Sequence, residues 1–143
     1  MTDELKKTYY ILLLPSVTGF VLLFFLKTYN AINMETVQFS GFFSSLIFIL
    51  TAVFAIALPI FYRTLFAHKI RDEKGVSEKD FIKFERGFLF IALIAPYLTL
   101  IAYVFNIPRF YAAGSLLMSM YAVYYYYPSK RRISFEKRIF RVR

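Results

Sequence analysis

Few side chains on this chain have the type and spacing to carry out a reaction. His68 is the only histidine and cysteine is absent. With no second imidazole and no thiolate, the usual ligand sets for a tetrahedral metal are missing, as are a disulfide framework and a thiol relay. Ser16, Ser45, Ser115 and Ser119 stand in long apolar runs without a base beside them. Their hydroxyls therefore read as packing and hydrogen-bonding groups rather than nucleophiles. Glycine-rich phosphate loops are missing as well, so the expectation is a protein that is not an enzyme and holds neither cofactor nor metal.

The remaining chemistry is charge. Eighteen Lys and Arg residues against nine acids give a formal net charge of +9, while 59% of the chain is apolar and 21% aromatic. That composition is too apolar for a surface in water. Basic residues then read as partners of anionic lipid headgroups, not of nucleic acid. The tail 129–143 carries seven of them, with Lys130, Arg131, Arg132, Lys137, Arg138 and Arg141 as candidate contacts to lipid or to an acidic partner. Phe135, Ile139 and Val142 fall at helical spacing, opposite a face with Lys137 and Arg141. Such a segment can lie on a leaflet, dock an acidic protein, or serve only as a topology determinant.

Four uncharged runs must carry these groups, and each is long enough to cross hydrocarbon as a helix, which satisfies its own backbone. The expected spans are about 8–26, 38–62, 86–106 and 110–127. A cleavable leader would need small residues after the first run; Val21 to Leu26 offers none, so that run is expected to be retained. Of the eighteen Lys and Arg residues, sixteen lie in 6–7, 63–86 and 130–143, and only Lys27 and Arg109 in the other connections. By the positive-inside rule both termini and the central loop are cytoplasmic. The fold class is all-α, a polytopic membrane protein with four transmembrane helices in a compact bundle. Its organisation is a membrane domain over 1–128, with a cytoplasmic helical hairpin at 63–86 and a basic tail at 129–143.

Helix association in lipid relies on small side chains that allow close approach. Ala92, Ala95, Thr99 and Ala102 recur at steps of three, four and three, and Ser115 and Ser119 share a face of the fourth run with Ala112 and Ala122. Gly41 and Ser45 are the matching pair in the second run, Ser16 and Gly19 in the first. Pro15, Pro59 and Pro96 each remove a backbone donor and bend their helices. Tyr9, Tyr10, Tyr29, Tyr62, Tyr111 and Tyr124 to Tyr127 stand near span ends, where a hydroxyl reaches water or headgroups. In the hairpin, Ser77 and Asp80 form a capping pair and Gly75 marks the turn.

Apart from Arg86 at the very edge of the third, no Asp, Glu, Lys or Arg lies within the four spans. Ion-coupled carriers keep such a group at depth, which argues against proton-coupled export by this chain alone. The expected role is a non-catalytic integral membrane subunit of a larger complex for transport, secretion or energy coupling, in a bacterial cytoplasmic membrane. Its partners would be membrane lipids and other integral subunits or copies of itself. The alternative is a small homo-oligomeric transporter or flippase of an amphiphilic or lipid-linked substrate.

Overall fold

In a computed structural model, residues 1–29 and 40–143 are described. They form α1 (Thr2–Thr28), α2 (Gly41–Ala52), a π-helical stretch (Val53–Ala57), α3 (Leu58–Lys69), α4 (Glu78–Ala92), α5 (Ile94–Val104), α6 (Arg109–Tyr125) and α7 (Lys130–Ile139). No strand occurs among the described residues; a single bridge joins Val76 to Val142. The architecture is all-helical.

Among the described residues, three helices are long and apolar enough to cross a membrane: Thr2–Thr28, Gly41–Lys69 and Glu78–Val104. α6, over the fourth expected span, has 17 residues. Two helices run past the expected span ends. α3 continues seven residues beyond Tyr62 and α4 begins eight residues before Arg86, because neither stretch contains a helix breaker. The hairpin is thus two helical extensions joined by a short turn, and Ser77 opens the second extension. Its Oγ accepts the Asp80 amide at 3.2 Å and donates to the Asp80 carboxylate at 2.7 Å, which satisfies an orphan donor of the first turn.

The prolines act locally. Pro96 has no amide to offer the Ala92 carbonyl, and the third long helix is interrupted at Leu93 between α4 and α5. Pro59 likewise leaves the Ala55 carbonyl without its usual donor, and the ladder slips into the π-helical stretch just before it. The Tyr126 hydroxyl donates to Ala55 O at 2.9 Å from the end of α6, which packs on this stretch. Pro15 lies on an exposed face of an unbroken α1.

Helix packing centres on α5, flanked by α2, α6 and α1; α1 also packs on α4, and α2 on α6. The approach is close where glycine permits it. A Cβ on Gly114 would lie 2.4 Å from Phe48 Cε2, and one on Gly19 2.9 Å from Leu100 Cδ2. At one end of the bundle, Phe84 is the hub of an aromatic cluster: its ring stacks on Phe66 at 4.0 Å and on Tyr62 at 5.4 Å, with Phe88 and Phe140 at its edges.

Candidate functional site

The amphipathic helix α7 is built into that aromatic end. Ser129 caps it, its Oγ accepting the Arg132 amide at 3.1 Å. It closes with Arg141 in the left-handed region (φ 51). There the Val142 amide reaches Lys137 O at 3.0 Å and the Arg141 amide reaches Arg138 O at 3.4 Å, the paired bonds of a Schellman end. Beyond this end the chain passes over Gly75, where a Cβ would meet Arg141 O at 3.0 Å. It pairs with Val76, the Arg143 amide donating to Val76 O at 3.0 Å. Gly75 has no left-handed backbone that the turn would require; its missing side chain leaves room for the passage of the tail.

Charge holds the inner face of α7. The Arg132 guanidinium donates to Glu85, whose side chain is 1% exposed. Arg63 pairs with Glu136 at 3.2 Å, and Lys137 with Glu78 at 3.1 Å. Burial pushes the Glu136 carboxyl above its ordinary range, while Arg63 and Arg132 pull it down. At the other terminus, Arg86 pairs with Glu4 of α1 at 3.3 Å. These pairs bring the chain start, the 63–86 hairpin and the tail, hence all three basic stretches, to the same end of the bundle.

Of the six basic residues expected to meet lipid or an acidic partner, Arg132 and Lys137 are turned to carboxylates of the chain itself. Lys130, Arg131, Arg138 and Arg141 are exposed. The apolar face also differs from the expected one. Ile133 and Phe140 are buried with Glu136, whereas Phe135 and Ile139, 59% and 46% exposed, share the outer side with Arg131 and Arg138. The aromatic cluster around Phe84 draws Phe140 inward, and Arg132 follows towards Glu85, which sets the rotation of the helix. A concavity of about 520 Å³ on this outer side is lined by Ser129, Arg131, Arg132, Ser134, Phe135 and Arg138.

A second opening lies between α1 and α6, which flank α5 on different sides. It has a volume of about 510 Å³ and is walled by Leu13, Val17 and Phe20 of α1 and by Leu116, Met120 and Val123 of α6. Ser16, Pro96 and Ser119 complete the lining, and Tyr9, Tyr124 and Tyr127 stand at the basic end. Tyr9 was expected to anchor in the interface; instead it is 3% exposed and its hydroxyl donates to Val123 O at 2.7 Å, a carbonyl in the last turn of α6. Tyr126 is also inward, 2% exposed. Tyr10, Tyr29, Tyr124 and Tyr125 remain on the surface.

The expected packing residues divide by helix. Ala92, Ala95, Thr99, Ala102, Ser115, Ser119 and Ser16 are all buried. The Thr99 hydroxyl lies 2.9 Å from Ser115 O and also bonds the Ser119 hydroxyl, which clasps α5 to α6. Gly19 meets Leu100. Gly41 and Ser45 do not lie on the packed face of α2, which Ser44, Ile47 and Thr51 supply; among the described residues nothing lies within 4 Å of a Cβ on Gly41. Two contacts had no signal in the periodicity. Tyr97 donates to Leu12 O at 2.5 Å. At the end opposite α7, Lys27 donates to Tyr103 O at 2.7 Å and to the Asn106 side chain, with its Nζ 3.9 Å from the Tyr103 ring.

Replacing Tyr126 by phenylalanine tests these hydroxyl clasps. It leaves the ring in place and strips the Ala55 carbonyl of its donor, so the expected cost is about 1 kcal/mol. A lowered unfolding midpoint in detergent, with unchanged helix content by circular dichroism, is the expected result. Comparison of the chain with models of protein families, with curated proteins and with solved structures finds no match.

Proposed function

We propose that the chain is a four-span integral membrane subunit that serves a larger assembly without catalysing a reaction, its basic end facing the cytoplasm of a bacterial cell. The observation that carries this reading is the collection of sixteen of the eighteen cations at one end of an otherwise apolar helical bundle. Cations beside span ends are retained on the cytoplasmic side. α6 supplies the fourth span in this reading: 17 residues lie at the short end of the range that crosses hydrocarbon. It packs along α5 and α2, both parts of helices long enough to cross.

The subunit role is supported by α1. Its inward face carries Leu5, Tyr9 and Ser16, whereas Leu14 and Leu22 are 58% and 62% exposed, an apolar surface suited to lipid or to a partner's helices. A photo-crosslinking residue at Leu14 or Leu22, activated in native membranes, is expected to yield one discrete adduct with another integral membrane protein. Lipid adducts alone, together with a monodisperse monomer in mild detergent, would contradict the subunit role. The groove between α1 and α6 favours the second reading, a homo-oligomeric transporter or flippase of an amphiphile; translocation of labelled phospholipid in reconstituted vesicles is its test.

A further inference from the structure

We propose that the groove between α1 and α6 and the arginine-lined concavity of α7 together hold one anionic glycerophospholipid, with an acyl chain in the groove and the phosphate against Arg131 and Arg138. The inference deepens the reading above and rests on its placement of the basic end at a membrane surface.

The two openings have complementary chemistry. The groove is walled by aliphatic and aromatic side chains and its volume of about 510 Å³ falls among sites that take a ligand of small-molecule size, about 300–1,000 Å³. Its tyrosines gather at the basic end, where Tyr9 and Tyr127 meet edge to face at 5.3 Å and Tyr9 likewise meets Tyr10 at 5.5 Å. Tyr124, 86% exposed at the same end, is the lining residue placed as an aromatic at the level of the headgroups.

Ser129 of the α7 concavity follows Tyr127 of the groove by two residues, so at most about 8 Å of backbone separates them. Its amide donates to Tyr127 O at 2.8 Å in a tight turn. The cations of this concavity outnumber the acids that face it. Glu85 is taken by Arg132, Glu136 by Arg63 and Glu78 by Lys137, while Arg131 and Arg138 enter no ion pair among the described residues. A zwitterionic headgroup would leave that excess uncompensated; an anionic one neutralises it. Phe135, 59% exposed beside the arginines, supplies an apolar surface that suits the glycerol region of a lipid. An apolar partner helix would fill the groove equally well but offers no anion to Arg131 and Arg138, whereas one anionic lipid supplies both the chain and the charge.

Native mass spectrometry of the intact chain in detergent, titrated with palmitoyl-oleoyl phosphatidylglycerol or with phosphatidylcholine of the same chains, tests the proposal. Two arginine contacts predict binding of the anionic lipid about 30-fold tighter. The R131Q/R138Q variant, altered at two exposed residues, is expected to bind both lipids equally. Met120→Trp, at a 60% exposed groove position, is expected to weaken both lipids several-fold by filling the groove. Equal affinity of the original chain for the two lipids, or an unchanged titration with Met120→Trp, overturns the site. A crosslinker at Met120 that captures a polypeptide instead of lipid also overturns it while leaving the subunit reading intact; failure of the orientation is read separately, by cysteine accessibility.

Discussion

Replacing Arg132 by leucine is expected to destabilise the protein by about 3–5 kcal/mol, the usual consequence of removing one partner from a buried ion pair. Glu85 is 1% exposed and Arg132 15% at the side chain, so solvent has little access to the carboxylate left behind. Glu136 would then face Glu85 with less compensation, because Arg132 serves both carboxyls electrostatically. The pair R132L/E85L is expected to recover much of the loss, since apolar residues of similar volume remove the desolvation penalty together with the attraction. Unfolding midpoints of the two single variants and the double variant, measured in the same detergent, form the cycle that checks this. A single R132L variant as stable as the original chain would show that α7 is not held by this pair.

The second large effect is expected at Phe84, 3% exposed and in ring contact with Phe66, Tyr62, Phe88 and Phe140. Phe84→Ala removes the hub of the cluster and leaves a cavity beneath α7, at an expected cost of about 3–5 kcal/mol. Phe84→Leu keeps much of the volume and should cost less than half of that. Because the cluster joins α3, α4 and the end of α7, the first visible consequence is expected to be loss of the tail from its seat. Limited trypsin digestion at Arg131 and Arg138 should accelerate in the alanine variant before helix content falls.

The parts of the fold legible in the sequence are those governed by local periodicity. Steps of three and four in small residues select one face of a helix, so Ala92, Ala95, Thr99 and Ala102 could be grouped without knowing what packs on them. The same rule misplaced Gly41 and Ser45. Adjacent serines differ by about 100° around a helix, and the choice between Ser44 and Ser45 depends on how α2 is rotated against α5 and α6, which no local pattern contains. The helical extensions at 63–69 and 78–85 were legible too, in the capping pair of Ser77 and Asp80 and in the helical spacing of Phe81, Phe84 and Phe88, because charge ends the apolar layer and not the helix.

The candidate site was legible in composition and not in geometry. Seven cations in the tail are visible in any reading, but the partition of Arg132 and Lys137 inward and Arg131 and Arg138 outward is decided by Glu85 and Glu78, 47 and 59 residues away. The hydroxyl clasps are non-local in the same way, Tyr126 and Ala55 lying 71 residues apart. One signal was present and unused: a proline at 59 frees the carbonyl at 55, so a buried hydroxyl donor was to be sought elsewhere in the chain.

The account depends most on a shared side for the three cationic stretches, and the absence of cysteine makes that directly measurable. Single cysteines at Lys74, Ser134 and Arg109, in right-side-out and inverted vesicles, can be labelled with a membrane-impermeant maleimide. Lys74→Cys and Ser134→Cys are expected to react only from the cytoplasmic face and Arg109→Cys only from the opposite one. Reaction of the Lys74 and Ser134 positions from opposite faces, or of all three from the same face, would contradict it.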